Sequence, residues 1–182
     1  MQIKRFSLKH MREEAAADAA TEEEKTVRSL PEMIDDVIRN YHRTELSQMD
    51  DIEVLLRQAL FADYAKNEYQ LLYIHSKFAE FRASLEQHFA KEEAIVFPLM
   101  LDETSRNRAS WVKVMELENE HSQAEEKIWD LRQNTSYFSI PSDSCAAMQD
   151  AYRKLAVLCD GISDHIAEEN GVIFPAYEKL IE

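Results

Sequence analysis

The sequence predicts an all-α protein, an up-down-up-down antiparallel four-helix bundle, and three observations carry that prediction. Only two glycines and four prolines interrupt the 182 residues. Apolar residues make up 45% of the chain and charged residues 31%, a balance suited to long amphipathic helices and not to a sandwich or barrel, which needs many turn residues. Along four long stretches the apolar residues recur in alternating steps of three and four, each stretch marking the inward seam of a helix.

Residues 11–27 are helix-prone but carry almost no large apolar side chain. An extension over residues 1–30 is therefore expected as a solvated helix or loose tail, with the bundle over 31–182. Ser29 followed by Pro31 gives the first start signal. The first helix, roughly 31–61, presents Ile34, Ile38, His42, Glu45, Met49, Ile52, Leu56 and Ala59. The second, roughly 67–102, presents Leu71, Ile74, Phe78, Phe81, Leu85, His88, Glu92, Ile95 and Leu99. The third, roughly 107–133, reads Val114, Leu117, His121, Ala124, Ile128 and Leu131. The fourth, roughly 143–181, reads Ala151, Leu155, Leu158, Ile162, His165, Glu169, Val172 and Ala176. Pro98 and Pro175 should bend the second and fourth helices, with a kink just past Glu169, and Gly161 and Gly171 add local looseness.

A net charge of −14 repels phosphate backbones and anionic lipid, which argues against nucleic acid and membrane surfaces as partners. No run approaches eighteen apolar residues and the first residues lack a signal-peptide stretch, so a cytoplasmic protein is expected. Cys145 and Cys159 form no metal or redox motif and read as reduced structural residues. His10 and His75 lack partners at seam spacing and are expected on the surface, and Trp111 and Trp129 in the core or plugging an end.

Six seam positions are anomalous. His42, His88, Glu92, His121, His165 and Glu169 lie where the neighbours above and below are Leu, Ile, Val or Phe. Burying an unpartnered imidazole or carboxylate costs several kcal/mol, so something must compensate all six together, and metal coordination does that. At about 1.5 Å rise per residue, all six fall about 15–22 Å from one common end of the bundle. The chain also repeats: His88 to Pro98 and His165 to Pro175 both fit HxAxExxxxFP, and the preceding histidines lie 46 and 44 residues upstream (88 − 42 and 165 − 121). Two matched hairpins suit two matched ions, and in HxxxE the imidazole and carboxylate share a helix face. Imidazole with carboxylate fits iron, manganese or zinc. Two histidines per ion with both carboxylates bridging leaves positions for oxo, water or a diatomic ligand.

At these residues the chain resembles the hemerythrin-like superfamily of HHE cation-binding domains over about residues 31–180. Within it the chain is most similar to the di-iron repair-of-iron-centres proteins. His42, the run His88–Pro98 with Lys91, Glu92 and Glu93, the pair Glu120-His121, and the run His165–Pro175 with Asn170 carry the likeness. The oxygen-carrying hemerythrins fit less well, because the HxxxH and HxxxxD spacings of their third and fourth helices are missing. The resemblance implies two bridged iron ions, with His42, His88, His121 and His165 as terminal ligands and Glu92 and Glu169 as bridges. It implies a stress-response function in which iron–sulfur clusters damaged by nitric oxide or oxidants are repaired, by iron donation or by chemistry on NO. The alternative is reversible binding, storage or sensing of O2 or NO. Glu45 and Glu120, acidic groups beside ligands, read as solvated or supporting carboxylates that could also guide iron. The family's N-terminal domain with adjacent cysteines has no counterpart in the first thirty residues.

Overall fold

Ser29 starts the first helix as expected: the Glu32 carboxylate accepts from its backbone N–H at 2.8 Å and from its hydroxyl at 2.7 Å. In this computed structural model residues 28–181 are described; the helix-prone stretch 11–27 and His10 lie outside them. Helix α1 spans Leu30–Asp36 and passes through a widened, π-helical turn at Val37–His42 into α2, Arg43–Lys91. A second widened turn, Glu92–Val96, leads into α3, Phe97–Leu101. After a 3-10 turn at Glu103–Ser105 come α4, Arg108–Asn134, and α5, Ala146–Glu168. A third widened turn, Glu169–Ile173, then leads into α6, Phe174–Glu178. Among the described residues there is no strand.

These pieces make four rods. Helix α2 folds back on itself at one non-helical residue, Asn67 (φ −130°, ψ 30°), where the sequence suggested a short loop over 62–66. Arg82 then reaches Asp50 and Glu53 across the corner at 2.6 and 2.7 Å. The second and third rods meet through Tyr73–Asp130 and Lys91–Glu120. Arg132–Asp160 and Ser110–Tyr177 join the third and fourth, and Lys154–Asp51 and His165–Glu45 join the fourth and first. In each pair the numbers climb on one rod as they fall on the other, so neighbouring rods run antiparallel. The start of α4 is capped by the Asn107 side chain, which accepts from Ala109 and Ser110. Asp63 receives the Cys145 backbone N–H ahead of α5, three residues later than expected.

The seam predictions hold at every position of the third rod, and in the other three they hold except at or just past a widened turn, where the buried residue is displaced by one. Val37 is buried in place of the half-buried Ile38, Val96 in place of the exposed Ile95, and Met100 in place of Leu99. In the fourth rod Ile173 and Tyr177 replace Val172 and Ala176. Every slip coincides with a widened turn. The N–H groups of Arg43, Phe97 and Phe174 reach back five residues to the carbonyls of Ile38, Glu92 and Glu169. One extra residue per turn displaces the apolar face by one, to the later residue past the second and third widened turns and to the earlier residue where the first one begins. The kink expected past Glu169 is therefore a widened turn. It precedes Pro175 as its counterpart precedes Pro98, relieving the clash between a proline ring and the carbonyl of the previous turn. No proline accompanies the first widened turn. Trp129 is 60% exposed, contrary to expectation, because it falls off the Ala124–Ile128–Leu131 seam; Trp111 packs against Tyr177. His75 is half-buried rather than exposed.

The apolar interior is in two blocks. One runs from Met49 and Ile52 through Phe81 and Leu85 to Leu155 and Ile162, and the other gathers Leu30, Ile34, Phe97, Leu117, Phe174 and Tyr177. The polar layer lies between them. Cys159 sits in the first block, where burial pushes its thiol up to about 12 and keeps it inert.

One substitution and one deletion test this account. A Cβ at Gly161 would meet nothing within 4 Å, so Gly161→Ala should raise unfolding stability by about 1 kcal/mol in urea titration; no gain would contradict an open helical position. Deleting Gly171 should convert the third widened turn into a regular helix and keep Ile173 and Tyr177 on the seam, so the helical circular-dichroism signal should persist. Loss of cooperative unfolding would show that the widened turn is required for folding.

Candidate metal centre

The helices bring all six anomalous side chains together in one layer. His42 leaves the first rod, His88 and Glu92 the second, His121 the third, and His165 and Glu169 the fourth. The four histidines and two bridging candidates are between 0% and 7% exposed. Their ligating atoms form two groups, His42, Glu92, His165 and Glu169 in one and His88, Glu92, His121 and Glu169 in the other, each with its atoms within 4.8 Å of one another. Both carboxylates belong to both groups. Glu92 lies 3.2 Å from the Nε2 atoms of both His42 and His88, and Glu169 lies 3.1 Å from that of His121 and 3.5 Å from that of His165.

An outer ring fixes the imidazoles. His42 Nδ1 lies 2.7 Å from Glu93 Oε1, and His88 Nδ1 lies 2.7 Å from Glu120 Oε2. His121 Nδ1 lies 2.8 Å from Asn170 Oδ1, and His165 Nδ1 lies 3.1 Å from Glu45 Oε2. An acceptor at every Nδ1 places that nitrogen's proton outward and turns every Nε2 inward with its lone pair free for a cation. Flat contacts hold the rings as well. His42 stacks 4.3 Å from Phe89 and 6.0 Å from Phe97, His121 5.7 Å from Phe174, and His165 4.8 Å from Tyr41. Phe97 and Phe174 are the matching phenylalanines of the repeat, so each lies under the lone histidine of its own hairpin.

The inner atoms provide the fit test. His42 Nε2, His165 Nε2 and all four oxygens of Glu92 and Glu169 are buried without a hydrogen bond. The other two Nε2 atoms face each other at 3.0 Å. Orphaned buried acceptors are costly. Six such atoms and the facing Nε2 pair, all aimed at one small volume with the outer nitrogens satisfied, suit a pair of cations held by imidazole and shared carboxylate. The residues fit the group.

Protons compete for the same atoms. Burial raises Glu92, but His121, His42 and His88 beside it outweigh that and hold its carboxyl well below the usual range. Burial pushes the histidines down, yet the neighbouring carboxylates win. With Glu169 and Glu92 at hand His121 rises to about 9, and with Glu169 and Glu45 His165 rises to about 10, while His88 also rises.

Glu93 and Asn170 were in the sequence motif but their role was not legible there. The one available signal is position, since each directly follows a bridging candidate. Glu45 and Glu120 prove to be supporting groups, Glu45 buried and Glu120 partly open.

This architecture and donor set define a helical cation-binding domain of the hemerythrin type. The chain belongs to the hemerythrin HHE cation binding domain family, which it matches over residues 33–177. It is 29% identical over 154 residues to the iron-sulfur cluster repair protein YtfE of Escherichia coli O157:H7, covering 84% of this chain and 69% of that protein. It is 25% identical over 150 residues to a probable iron-sulfur cluster repair protein of Haemophilus influenzae, covering 82% of this chain and 66% of the relative. No helix among the described residues is long and apolar enough to cross a membrane.

The raised histidines set a pH dependence. A group raised above its ordinary 6.5 stabilises the folded state fully below that value and loses the contribution as pH climbs through about 9 and about 10. Metal-free protein should therefore unfold at lower urea concentration at pH 10 than at pH 6.5. Metal binding near pH 7 should expel protons from His121 and His165, read as a calorimetric heat that depends on the buffer's ionisation enthalpy. Buffer-independent heat would contradict this assignment.

Proposed function

We propose that His42, His88, His121 and His165 are terminal ligands and Glu92 and Glu169 bridges of a two-iron centre, and that the chain acts in the cytoplasm in the repair of iron–sulfur clusters damaged by nitric oxide or oxidants. The observation that carries the reading is the sharing of both carboxylates between two histidine pairs, four donors to a group. The relatives named as iron-sulfur cluster repair proteins, aligned over most of this chain, supply the cluster-repair part. When bound, the iron pair supplies exchangeable iron and open coordination positions for a diatomic ligand such as NO or O2.

The chain's own residues do the remainder. Glu93, Glu120, Asn170 and Glu45 hold the imidazoles in the binding tautomer. Phe89, Phe97, Phe174 and Tyr41 keep water from the ring faces. Two anionic bridges and neutral imidazoles offset part of the ions' charge, so iron held this way is bound without soft thiolate ligands and can be surrendered to them.

Protein loaded with two iron ions should restore activity to a dehydratase whose iron–sulfur cluster has been damaged by NO, and faster than the same amount of free ferrous iron. His88→Ala and Glu92→Ala should bind fewer than two ions, keep most of their helical signal, and restore no more than free iron does. Wild-type protein performing no better than free iron would overturn the repair reading.

A further inference from the structure

The two halves of the centre are matched in ligands but not in access. A cavity of about 490 Å³ opens between the second and third rods and is lined by Leu85, His88, Lys91, Ile95, Glu120 and Ala124 among others. Of the four histidines only His88 borders it. The His88 side chain is 8% exposed, against 3% for His121, 2% for His165 and none for His42.

The supports differ in the same sense. His165 leans on Glu45, a buried carboxylate whose one ion-pair partner among the described residues is His165 itself. His88 leans on Glu120, which is 35% exposed and is held from outside: Lys91 Nζ sits 2.7 Å from Glu120 Oε1 and 3.6 Å from Glu116 Oε2. Lys91, Glu120 and His88 thus form a chain from solvent to the centre. For an ion between His88 and His121 to leave, one imidazole must swing away. His88 has open space beside it, whereas His42, His121 and His165 each stack flat on an aromatic ring.

We propose that this cleft is the port through which ions enter and leave, that the His88–His121 half exchanges ahead of the His42–His165 half, and that Lys91 is the positioning residue that latches it. The proposal rests on the reading that the six residues hold two ions. Lys91 fixes the Glu120 carboxylate, Glu120 fixes the Nδ1 side of His88, and the ring cannot turn into the cavity until that chain opens. Across the pseudo-twofold no lysine or arginine among the described residues plays the corresponding part for Glu45.

The test uses zinc and the whole chain. Protein loaded with two zinc ions, the stoichiometry established by elemental analysis, is mixed with excess chromogenic chelator and release is followed by stopped flow. Two equal phases are expected. Lys91→Gln should accelerate the fast phase about two- to fivefold, the range set by a partly exposed ion pair, and leave the slow phase unchanged. Glu120→Ala should accelerate the fast phase further, Lys91→Arg should restore the wild-type rate, and Lys154→Gln, whose partner is the exposed Asp51, should change neither. A single phase, or both phases accelerated together in Lys91→Gln, would overturn the port and its latch. Fewer than two bound ions would overturn the centre and the port with it. Failure of cluster repair with two-phase release intact would touch only the proposed function.

Discussion

The structure depends on one electrostatic constraint, the placing of six ionisable side chains in a layer with apolar side chains above and below it. Alone, each would cost several kcal/mol to bury. The cost is tolerated because the layer is ordered in two shells. Outward-facing nitrogens meet Glu93, Glu120, Asn170 and Glu45, and inward-facing atoms meet one another. In the absence of metal, protons on His121 and His165 take the cationic part against Glu92 and Glu169. Cation or proton, positive charge must occupy the middle for these rods to pack there.

The widened turns serve that layer. In a regular helix a residue five positions on from Glu92 points about 140° away from it. With the Phe97 N–H bonded to the Glu92 carbonyl, five residues close one turn and Phe97 returns above Glu92, in reach of His42. Phe174 does the same for His121. The widened turn thus lets one short run supply a shared carboxylate, an outer acceptor in the next residue and an aromatic ring for the hairpin's other histidine. Rare helix geometry at a functional site is expected where a single helix has to aim several groups at once.

Sequence periodicity made the bundle, the common depth of the six side chains and the twofold repeat legible, because polar residues in an apolar seam stand out against burial costs. What it could not show was the phase of the seam beyond each widened turn. A π-helical turn has no composition of its own, so Val96 and Ile95, or Ile173 and Val172, look equivalent to a 3.6-residue rule. The third rod, with no such turn, agreed at every position. Proline gave partial warning at Phe97-Pro98 and Phe174-Pro175, but nothing local marks Val37–His42. The parts of Glu93 and Asn170 were hidden for the same reason, since both depend on a rotation the turn introduces. Trp129 shows the opposite error, a large aromatic credited to the core by size although its position lies off the seam.

The polar layer also divides the protein mechanically. The block built from Leu30, Ile34, Phe97, Phe174 and Tyr177 gathers the first and last described turns of the chain, and it meets the larger block mainly through the rods and the centre between them. Two distinct apolar blocks with a polar layer between them are expected to open as separate cooperative units. Ions held in the middle would act as mortar. With them bound, the protein should melt as one piece; without them, the end block should exchange its amides while the other stays closed.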